Sequence, residues 1–185
     1  MHFPRGEKVF RNGQHSRHIY QVESGCISTY TNQSDGRRPI LAFYFPGDYF
    51  GLEMRKTHRI SAEATTPSSV RRYATKALAL RAATDGAVAR YMLHITNLEL
   101  QRAQNHSLLL RNYSEERVGN FLFEMKKRDR RREVELLMSR QDIADYLNLS
   151  LETVSRAFTR LEKNSAISLL TPQRVAVNFS KPLSA

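Results

Sequence analysis

The feature that most constrains the fold is a pair of short helix patterns joined by a tight turn near the C-terminus, between Ser139 and Arg156. Ser139 begins a Ser-x-x-Asp start, in which its hydroxyl can cap free backbone N–H groups while Asp142 lies near the positive end of the helix dipole. Asn148 tolerates the left-handed conformation that often ends a helix, and Ser150 can then cap a second helix. The sequence therefore predicts a helix-turn-helix.

The packed side of each helix is defined by apolar residues at helical spacing. They are Ile143, Ala144 and Leu147 in the first helix and Val154, Ala157, Phe158 and Leu161 in the second. The opposite side of the second helix then carries Glu152, Thr153, Ser155, Arg156, Thr159 and Arg160. These polar residues are left to face a partner or solvent.

Three of these polar residues lie in the N-terminal half of the second helix, the half with which recognition helices read the DNA major groove. Arg156 can donate two hydrogen bonds to guanine, Glu152 can accept one from cytosine, and Ser155 can reach a base edge. We predict that these three residues contact bases. The predicted contacts to the DNA backbone are Ser139, Arg140, Gln141, Ser150, Thr153, Thr159, Arg160 and Arg174.

Glu152 and Arg156 also stand four residues apart, and such a pair can be a plain surface ion pair worth about 0.2 to 0.5 kcal/mol. The sequence after the second helix favours the DNA-reading interpretation. Two strand-like runs, 167–170 and 174–179, flank a turn at 171–173, which predicts the hairpin of a winged helix-turn-helix. The turn of such a hairpin can reach DNA phosphate.

The chain carries a formal charge of +11, which points to a polyanionic partner such as nucleic acid. Up to Leu109 there are 15 Lys and Arg residues against 8 Asp and Glu, and after it there are 14 against 10. The positive excess, +7 and +4, is not concentrated on the predicted reading helix. Charge therefore supports DNA binding without locating it.

The N-terminal part reads as short strands separated by turns. Runs rich in β-forming residues span 23–30 and 40–45, and Asp35-Gly36 between them is a hairpin signal, because glycine tolerates the positive φ of such turns. The pattern predicts a small antiparallel barrel or sandwich. After about Thr84 the pattern changes to helix.

A long helix is predicted from 87 to 110, where there is no proline or glycine, with Asp85 as its cap. Its apolar stripe consists of Val88, Met92, Ile95, Leu98 and Leu109, and Arg102 and Asn105 or His106 fall on the same side. This stripe suits pairing with a second copy of the chain, where polar positions can fix the register. The alternative is that the helix packs only on its own domain.

A further helix is predicted from Ser114 to Lys127. Its buried stripe consists of Val118, Phe121, Leu122 and Met125. The charged run 126–133 that follows is interpreted as a solvated loop, with contact to phosphate as the alternative.

Several classes of protein are excluded by what the sequence lacks. No stretch is apolar enough for a membrane span and the N-terminus has no apolar run for a signal peptide, so we expect a cytoplasmic protein. A single cysteine, Cys26, rules out an intrachain disulfide and a cysteine-only metal site. Cys26 lies in a predicted strand and is interpreted as a small buried residue rather than a redox switch. No catalytic motif or metal-ligand spacing predicts an enzyme.

These features together resemble the family of the cyclic-AMP receptor protein and the fumarate-nitrate reduction regulator, and within it the FixK-like group. The resemblance covers nearly the whole chain, including Gly25, the Phe-Pro-Gly-Asp-Tyr-Phe-Gly turn at 45–51 and the Leu-Glu-Thr-Val-Ser-Arg stretch at 151–156. It implies an α+β fold with an N-terminal antiparallel β-roll (cupin-like) at 1–84, a long dimerisation helix at 85–110 and a C-terminal winged helix-turn-helix domain at 111–185.

The resemblance also implies what the reading helix recognises. In the oxygen-responsive branch of the family a Glu-x-x-Ser-Arg pattern reads TTGA/TCAA half-sites, and here it falls on Glu152, Ser155 and Arg156. The cyclic-AMP branch has an arginine just before this glutamate, where this chain has Leu151. The expected operator is a TTGA-type palindrome in double-stranded DNA. It would be bound by a homodimer that recruits or blocks RNA polymerase, with activation as the outcome that the resemblance favours.

Cyclic-nucleotide binders of the family carry Gly-Glu-Leu followed by Arg-Ser-Ala or Arg-Thr-Ala, in which the glutamate binds the ribose hydroxyl and the arginine the phosphate. This chain has Gly-Leu-Glu at 51–53 and Arg-Ile-Ser at 59–61, so both ligands are out of register. The resemblance therefore implies a degraded effector pocket, with Ile60 in the phosphate-binding place and no cofactor. Its residues are Gly51, Glu53, Arg59 and Ser61.

FixK-like relatives are commonly governed by their own abundance, which fits action without a ligand. Relatives often carry an N-terminal extension, whereas this chain begins at the predicted β-roll; either a segment is missing or the protein has no sensor there. The alternative is an effector-dependent regulator whose β-roll binds haem or another small ligand. The histidines available for haem are His2, His15, His18, His58, His94 and His106.

Overall fold

The computed structural model describes residues 1–53, 55–129 and 133–183. The chain forms two compact units, residues 1–105 and residues 106–185. Strands predominate in the first unit, whereas helices and a small sheet make up the second. Of the helices in these described ranges, none combines the length and the apolar character needed to cross a bilayer.

The first unit is built on two antiparallel sheets. Its strands are β1 (His2–Phe3), β2 (Lys8–Phe10), β3 (His18–Ser24), β4 (Ile27–Tyr30), β5 (Ile40–Tyr44), β6 (Tyr49–Phe50), β7 (Ser61–Ala64) and β8 (Ser68–Ala74). One sheet has the order β1-β8-β3-β6 and the other β2-β7-β4-β5. Buried side chains from both sheets form one apolar core of Phe3, Phe10, Tyr20, Val22, Ile27, Ala42, Tyr44, Phe50, Ala62, Ala64 and Val70. This arrangement is the predicted antiparallel β-roll.

The run predicted as one strand from 23 to 30 is two strands, because the chain turns at Gly25. Gly25 has φ +80°, and a Cβ there would lie 2.5 Å from the carbonyl oxygen of Pro67. As a result β3 and β4 belong to different sheets. The predicted hairpin is confirmed, since β4 pairs antiparallel with β5 and Gly36 in the connection has φ +85°.

Two helices follow the strands. The first, α1 (Thr75–Thr84), is missed by the sequence pattern, although its alanines and leucines are strong helix formers. The second, α2 (Gly86–Leu109), is the predicted long helix. Asp85 separates the two and caps α2 as predicted, because its Oδ1 accepts a hydrogen bond from the Ala87 N–H at 2.9 Å.

Part of the apolar stripe of α2 that was expected to pair with a second copy packs on its own unit, while Leu98 of that stripe is 46% exposed. Ile95 is buried and Met92 is half-buried, and both line a cavity together with Ile19 of β3. Arg102, on the same side, pairs with Asp48 at 3.1 Å. Val88, Met92 and Ile95 cover their own unit because the outer face of the β1-β8-β3-β6 sheet offers apolar area to bury.

The opposite side of α2 is left uncovered within this unit. Leu93 and Leu100, seven residues apart, are 62% and 56% exposed. Thr96 and Ala103 fall between and after them at three- and four-residue steps, which is the heptad spacing of paired helices. This side of the helix is therefore a second candidate stripe for pairing.

The second unit consists of α3 (Ser114–Asp129), β9 (Glu133–Glu135), α4 (Arg140–Leu147), α5 (Leu151–Lys163), β10 (Ile167–Thr171) and β11 (Arg174–Val177). α3 begins at the predicted residue and buries Val118, Phe121 and Leu122, whereas Met125 is only half-buried. The strands pair in the order β10-β11-β9. The predicted wing hairpin is confirmed, β9 is an additional strand, and the fold is α+β as predicted.

Candidate nucleic-acid interface and effector pocket

α4 begins with a complete cap, as predicted. The Ser139 hydroxyl accepts a hydrogen bond from the Asp142 N–H at 3.1 Å, and the Asp142 carboxylate accepts one from the Ser139 N–H at 2.9 Å. Two N–H groups that no helical carbonyl can reach are thereby satisfied. The Ser139 hydroxyl also donates to the Asp142 carboxylate at 2.7 Å, so its single proton is used by the cap.

The turn after α4 ends one helix and starts the next, also as predicted. Asn148 adopts the left-handed conformation, with φ 53° and ψ 49°. Ser150 accepts a hydrogen bond from the Thr153 N–H at 3.1 Å and so caps α5. Ala144 is fully buried where α4 packs on α5, and its small side chain allows the close approach.

α5 has a packed side and an open side. The packed side consists of Val154, Ala157, Phe158 and Leu161, all of which are buried. On the open side the side chains of Glu152 and Arg156 are 76% and 61% exposed and form an ion pair of 3.2 Å. This contact is weak because water screens both groups, so each side chain can be redirected to a base at little cost.

Ser155 is the third predicted base reader, and its hydroxyl is hydrogen-bonded within its own helix. It donates to the carbonyl oxygen of Leu151 at 2.9 Å, and the Thr159 hydroxyl in turn donates to the Ser155 carbonyl at 3.2 Å. Since the proton of Ser155 is engaged, its oxygen meets a base edge in this rotamer as an acceptor.

Arg140 is held by packing rather than by a carboxylate. Its guanidinium carbon lies 3.3 Å from the centroid of the Phe158 ring, and Nη2 donates to the Pro172 carbonyl at 3.4 Å. Nη1 is buried and has no hydrogen-bond partner in the described part of the chain. Burial lowers the pKa of Arg140 to about 10, so the group stays charged at neutral pH. An anion would satisfy this donor.

The other predicted backbone contacts each have a partner within the chain. The pairs are Gln141 with Asp145 (2.8 Å), Ser150 with Thr153 (2.8 Å), Arg160 with Glu115 (3.6 Å) and Arg174 with Glu133 (2.5 Å). Both arginines are more than half exposed. Exposed ion pairs of this kind contribute about 0 to 1 kcal/mol, so they do not prevent an arginine from meeting a phosphate.

The charged run 126–133 is part helix and part strand in the described residues, and 130–132 lie outside them. The helix α3 continues through Asp129 rather than ending at Lys127. Lys126 donates to the carbonyl oxygens of Val177 at 3.0 Å and Phe179 at 2.7 Å. Its ammonium therefore holds the end of β11 and the residues directly after it against α3.

The predicted effector pocket lies in the first unit, and its carboxylate, Glu53, contacts groups of the same chain. Glu53 accepts a hydrogen bond from the Arg59 N–H at 3.2 Å and lies 3.3 Å from Nδ1 of His58. His58 is buried and stacks on Phe10 at 3.7 Å. Burial lowers the pKa of His58, and the Glu53 carboxylate offsets part of this shift. The Glu53 carboxylate is thus an anionic group within the pocket itself.

The remaining pocket residues are also engaged. The Ser61 hydroxyl accepts a hydrogen bond from the Asn12 N–H at 3.0 Å, and Ile60 packs against the apolar core. Gly51 is buried directly after β6. Cys26 is fully buried next to β4, which fits its interpretation as a small core residue.

One charged cluster was missed by sequence reasoning, which placed Arg102 on a pairing surface. Arg102 bonds to Glu99 at 2.8 Å as well as to Asp48, and the Tyr44 hydroxyl donates to Glu99 at 2.6 Å. The i,i+3 spacing of Glu99 and Arg102 was the available signal. Asp48 could not be assigned to the cluster because it is remote in sequence.

Comparison with known proteins agrees with both halves of this description. Residues 1–83 match the cyclic nucleotide-binding domain, and residues 116–178 match the Crp-like helix-turn-helix domain. The structure of FixK2 from Bradyrhizobium japonicum superposes with a TM-score of 0.92 and 39% identity, covering 97% of this chain and 91% of that one.

Curated relatives give the same assignment. The nitrogen fixation regulation protein FixK of Azorhizobium caulinodans is 42% identical over 180 residues, which is 94% of this chain and 73% of that protein. The transcriptional activator protein Anr of Pseudomonas protegens is 33% identical over 172 residues, or 89% of this chain and 70% of that protein. Both names describe regulatory proteins. The chain therefore belongs to the CRP/FNR family of DNA-binding transcription regulators and is FixK-like.

Proposed function

We propose that the protein activates transcription by binding a TTGA/TCAA-type palindrome, with Glu152, Ser155 and Arg156 contacting bases. The observation that carries this proposal is the open side of α5, where Glu152 and Arg156 extend into solvent near the helix N-terminus. Leu151 precedes Glu152 in place of an arginine, which favours the TTGA-type half-site over the cyclic-AMP type.

The backbone contacts would come from both ends of the helix-turn-helix and from the wing. The proposed set is Ser139, Arg140, Gln141, Ser150, Thr153, Thr159, Arg160 and Arg174. Arg140 has structural support from its charge and from Nη1, which has no hydrogen-bond partner in the described residues and would meet a phosphate once the guanidinium turns outward from Phe158. Ser139 has the weakest, because its hydroxyl is used by the cap.

The protein would bind as a homodimer through the uncovered side of α2, where Leu93 and Leu100 are exposed. Two reading helices would then enter successive major grooves about 34 Å apart. Residues 1–84, 85–110 and 111–185 would serve as β-roll, dimerisation helix and DNA-binding domain. Recruitment of RNA polymerase in the cytoplasm is the proposed output, supported by the activator named among the relatives.

DNA binding would not require a cyclic nucleotide. The Glu53 carboxylate already accepts a hydrogen bond from the Arg59 N–H, and the Ser61 hydroxyl accepts one from the Asn12 N–H. Ile60 occupies the position of the phosphate-binding residue and packs against the apolar core. A nucleotide phosphate entering this pocket would have to displace a carboxylate of like charge. Bound nucleotide would therefore contribute little to DNA binding.

A second candidate function is favoured by one further observation. A cavity of about 410 Å³ lies between the outer sheet face and the helices α1 and α2, and Ile19, Tyr73, Val88 and Met92 are among its lining residues. Its size and apolar lining suit a small organic effector. No histidine is among the described lining residues, so an apolar ligand fits better than haem.

Selection of bound sequences from random DNA tests the proposed function. The expected result is a TTGA/TCAA palindrome with one enriched half-site per reading helix, and equal affinity with and without cyclic AMP. Enrichment of a cyclic-AMP-type site, or DNA binding only with nucleotide, would overturn it. Calorimetry with apolar ligands and an absorbance spectrum of the purified protein test the second candidate.

A further inference from the structure

The segment that follows β11 lies along α3, within the second unit. The Lys126 ammonium donates to the carbonyl oxygens of Val177 at 3.0 Å and Phe179 at 2.7 Å, and such hydrogen bonds from a charged donor are stronger than neutral ones. The rings of Phe179 and Phe123 stack at 6.0 Å with an interplanar angle of 22°. We call residues 177–183 the strap.

At the far end of the strap, Asn120 binds the backbone of Leu183 through both of its polar groups. Oδ1 of Asn120 accepts a hydrogen bond from the Leu183 N–H at 2.6 Å, and Nδ2 donates to the Leu183 carbonyl oxygen at 2.9 Å. A neighbouring strand binds a residue through the same two groups. Because Asn120, Phe123 and Lys126 follow each other at three-residue steps, the strap runs antiparallel to α3.

Gly119 makes room for the side chain of Leu183. Glycine in a helix interior is less stable than alanine, yet Gly119 is buried in the middle of α3. A Cβ on Gly119 would lie 2.2 Å from Cδ1 of Leu183 and 3.8 Å from Cδ2 of Leu161, on the packed side of α5. The leucine therefore fills a notch beside α5 that exists only because residue 119 has no side chain.

These contacts have the composition of a peptide-binding site, in which hydrogen bonds to the main chain give affinity and a pocket for one side chain gives specificity. The site, which we call the strap site, consists of Gly119, Asn120, Phe123 and Lys126. We propose that the strap site binds an extended peptide carrying a leucine, that the strap of the same chain is its ligand, and that Leu183 is a positioning residue for α5. The positioning role rests on the proposed DNA-binding function, whereas the peptide site does not.

The sign of the stability change in Gly119→Ala distinguishes the strap site from an ordinary helix position. In a chain ended after Ser180, which lacks Leu183, alanine should raise the temperature of thermal unfolding by about 2 to 4 °C, as in most helix interiors. In the full chain the new Cβ displaces Leu183, so the same substitution should lower that temperature. Glu124→Ala, at an exposed position of α3, is the control and should shift both chains alike. An equal effect of Gly119→Ala in the two chains would overturn the proposal.

Amide hydrogen exchange tests the strap in the full chain without truncation. We expect the Leu183 N–H to be protected in the wild type and to exchange at least tenfold faster in Asn120→Ala, which removes its acceptor. Gly119→Ala should have the same effect by displacing the leucine, and Glu124→Ala should have none. A Leu183 N–H that exchanges in the wild type as fast as in a free peptide would contradict the strap site.

Operator titration well below the unfolding temperature tests the positioning role. Leu183→Ala should weaken binding about threefold for matched and guanine-substituted operators alike, because α5 shifts while its base-contacting residues stay intact. Leu183→Met should retain most of the affinity, and unchanged affinity in Leu183→Ala would remove the positioning role.

A synthetic peptide of residues 178–185 supplies the strap in trans. At millimolar concentration, comparable to the effective concentration of a short tether, it should restore operator affinity to the chain ended after Ser180. The same peptide with Leu183→Ala should not, and equal action of the two peptides would contradict recognition of the leucine. If the wild type selects no palindrome, the proposed function fails, yet the exchange and unfolding results still decide the strap site.

Discussion

The polar side chains on the open side of α5, which we call the reading head, and those of the effector pocket differ in their hydrogen bonding. On α5, Glu152 and Arg156 project into solvent and share only a weak contact with each other. In the pocket, Glu53 is bonded to the Arg59 N–H and close to His58, and the Ser61 hydroxyl is bonded to Asn12. One site leaves its hydrogen-bonding capacity for a partner, whereas the other uses it internally.

This difference teaches how a site in a shared fold can change its role. A pocket whose donors and acceptors are mutually satisfied gains little from a ligand, because each new contact replaces an existing one. A surface whose side chains are bonded mainly to water gains specificity from a partner that matches them. Substitutions should accordingly affect DNA discrimination in the reading head and stability in the pocket.

The largest expected effect belongs to Arg156→Ala. Loss of a bidentate contact to guanine should cost about 1 to 3 kcal/mol of discrimination between the matched operator and one with that guanine replaced. Stability should change by less than about 0.5 kcal/mol, because the ion pair lost is exposed. Titration of the protein with both operators measures this discrimination. Arg160→Ala is the control and should weaken both operators alike; the same uniform loss in Arg156→Ala would remove Arg156 from the base readers.

The converse is expected in the pocket for Glu53→Ala. Losing its hydrogen bond to the Arg59 N–H and its contact with His58 should lower the free energy of unfolding by about 1.5 kcal/mol. Operator affinity should stay as in the wild type. Denaturant unfolding and operator titration together check this result. Glu23→Ala, which removes an exposed ion pair to Arg71, is the control with an expected loss below about 1 kcal/mol.

A smaller effect is expected for Ser139→Ala, which removes the cap of α4. The free energy of unfolding should fall by about 1 kcal/mol, since the Asp142 N–H loses its acceptor. Ser139→Thr keeps a hydroxyl and should retain most of the stability. Operator affinity measured well below the unfolding temperature distinguishes a cap from a phosphate contact. A loss of affinity at unchanged stability would make Ser139 a phosphate contact.

The smallest effect concerns pH and His58. Burial lowers its pKa in the folded protein below the ordinary 6.5, despite the opposing Glu53. As pH falls below 6.5 the unfolded chain takes up this proton first, so stability present above 6.5 is lost on acidification. His58→Gln should lose less stability than the wild type between pH 7 and pH 5. Parallel stability curves for the two proteins would contradict the lowered pKa.

The local structure of the helix-turn-helix, α4 and α5 with the turn between them, could be predicted from sequence almost completely, because its signals are local. Ser139, Asn148 and Ser150 act on backbone groups within three or four residues, and their roles follow from residue type. The turn at Gly25 was expected from the family resemblance and not from the local strand pattern, because the strand break depends on the approach of Pro67, more than forty residues away. The helix α1 was missed although its composition favours a helix.

The amino-acid sequence by itself determined the caps, the hairpin turns and the polar side of α5, since these depend on spacing and on the conformational preferences of single residues. Only the tertiary structure decided which side of α2 is buried and what Glu53 and Arg102 contact. The sequence of an amphipathic helix shows that one side is apolar, but it does not show which element covers that side. Likewise, a charged residue finds its partner across the fold, as Arg102 finds Asp48, through distances that sequence order does not contain.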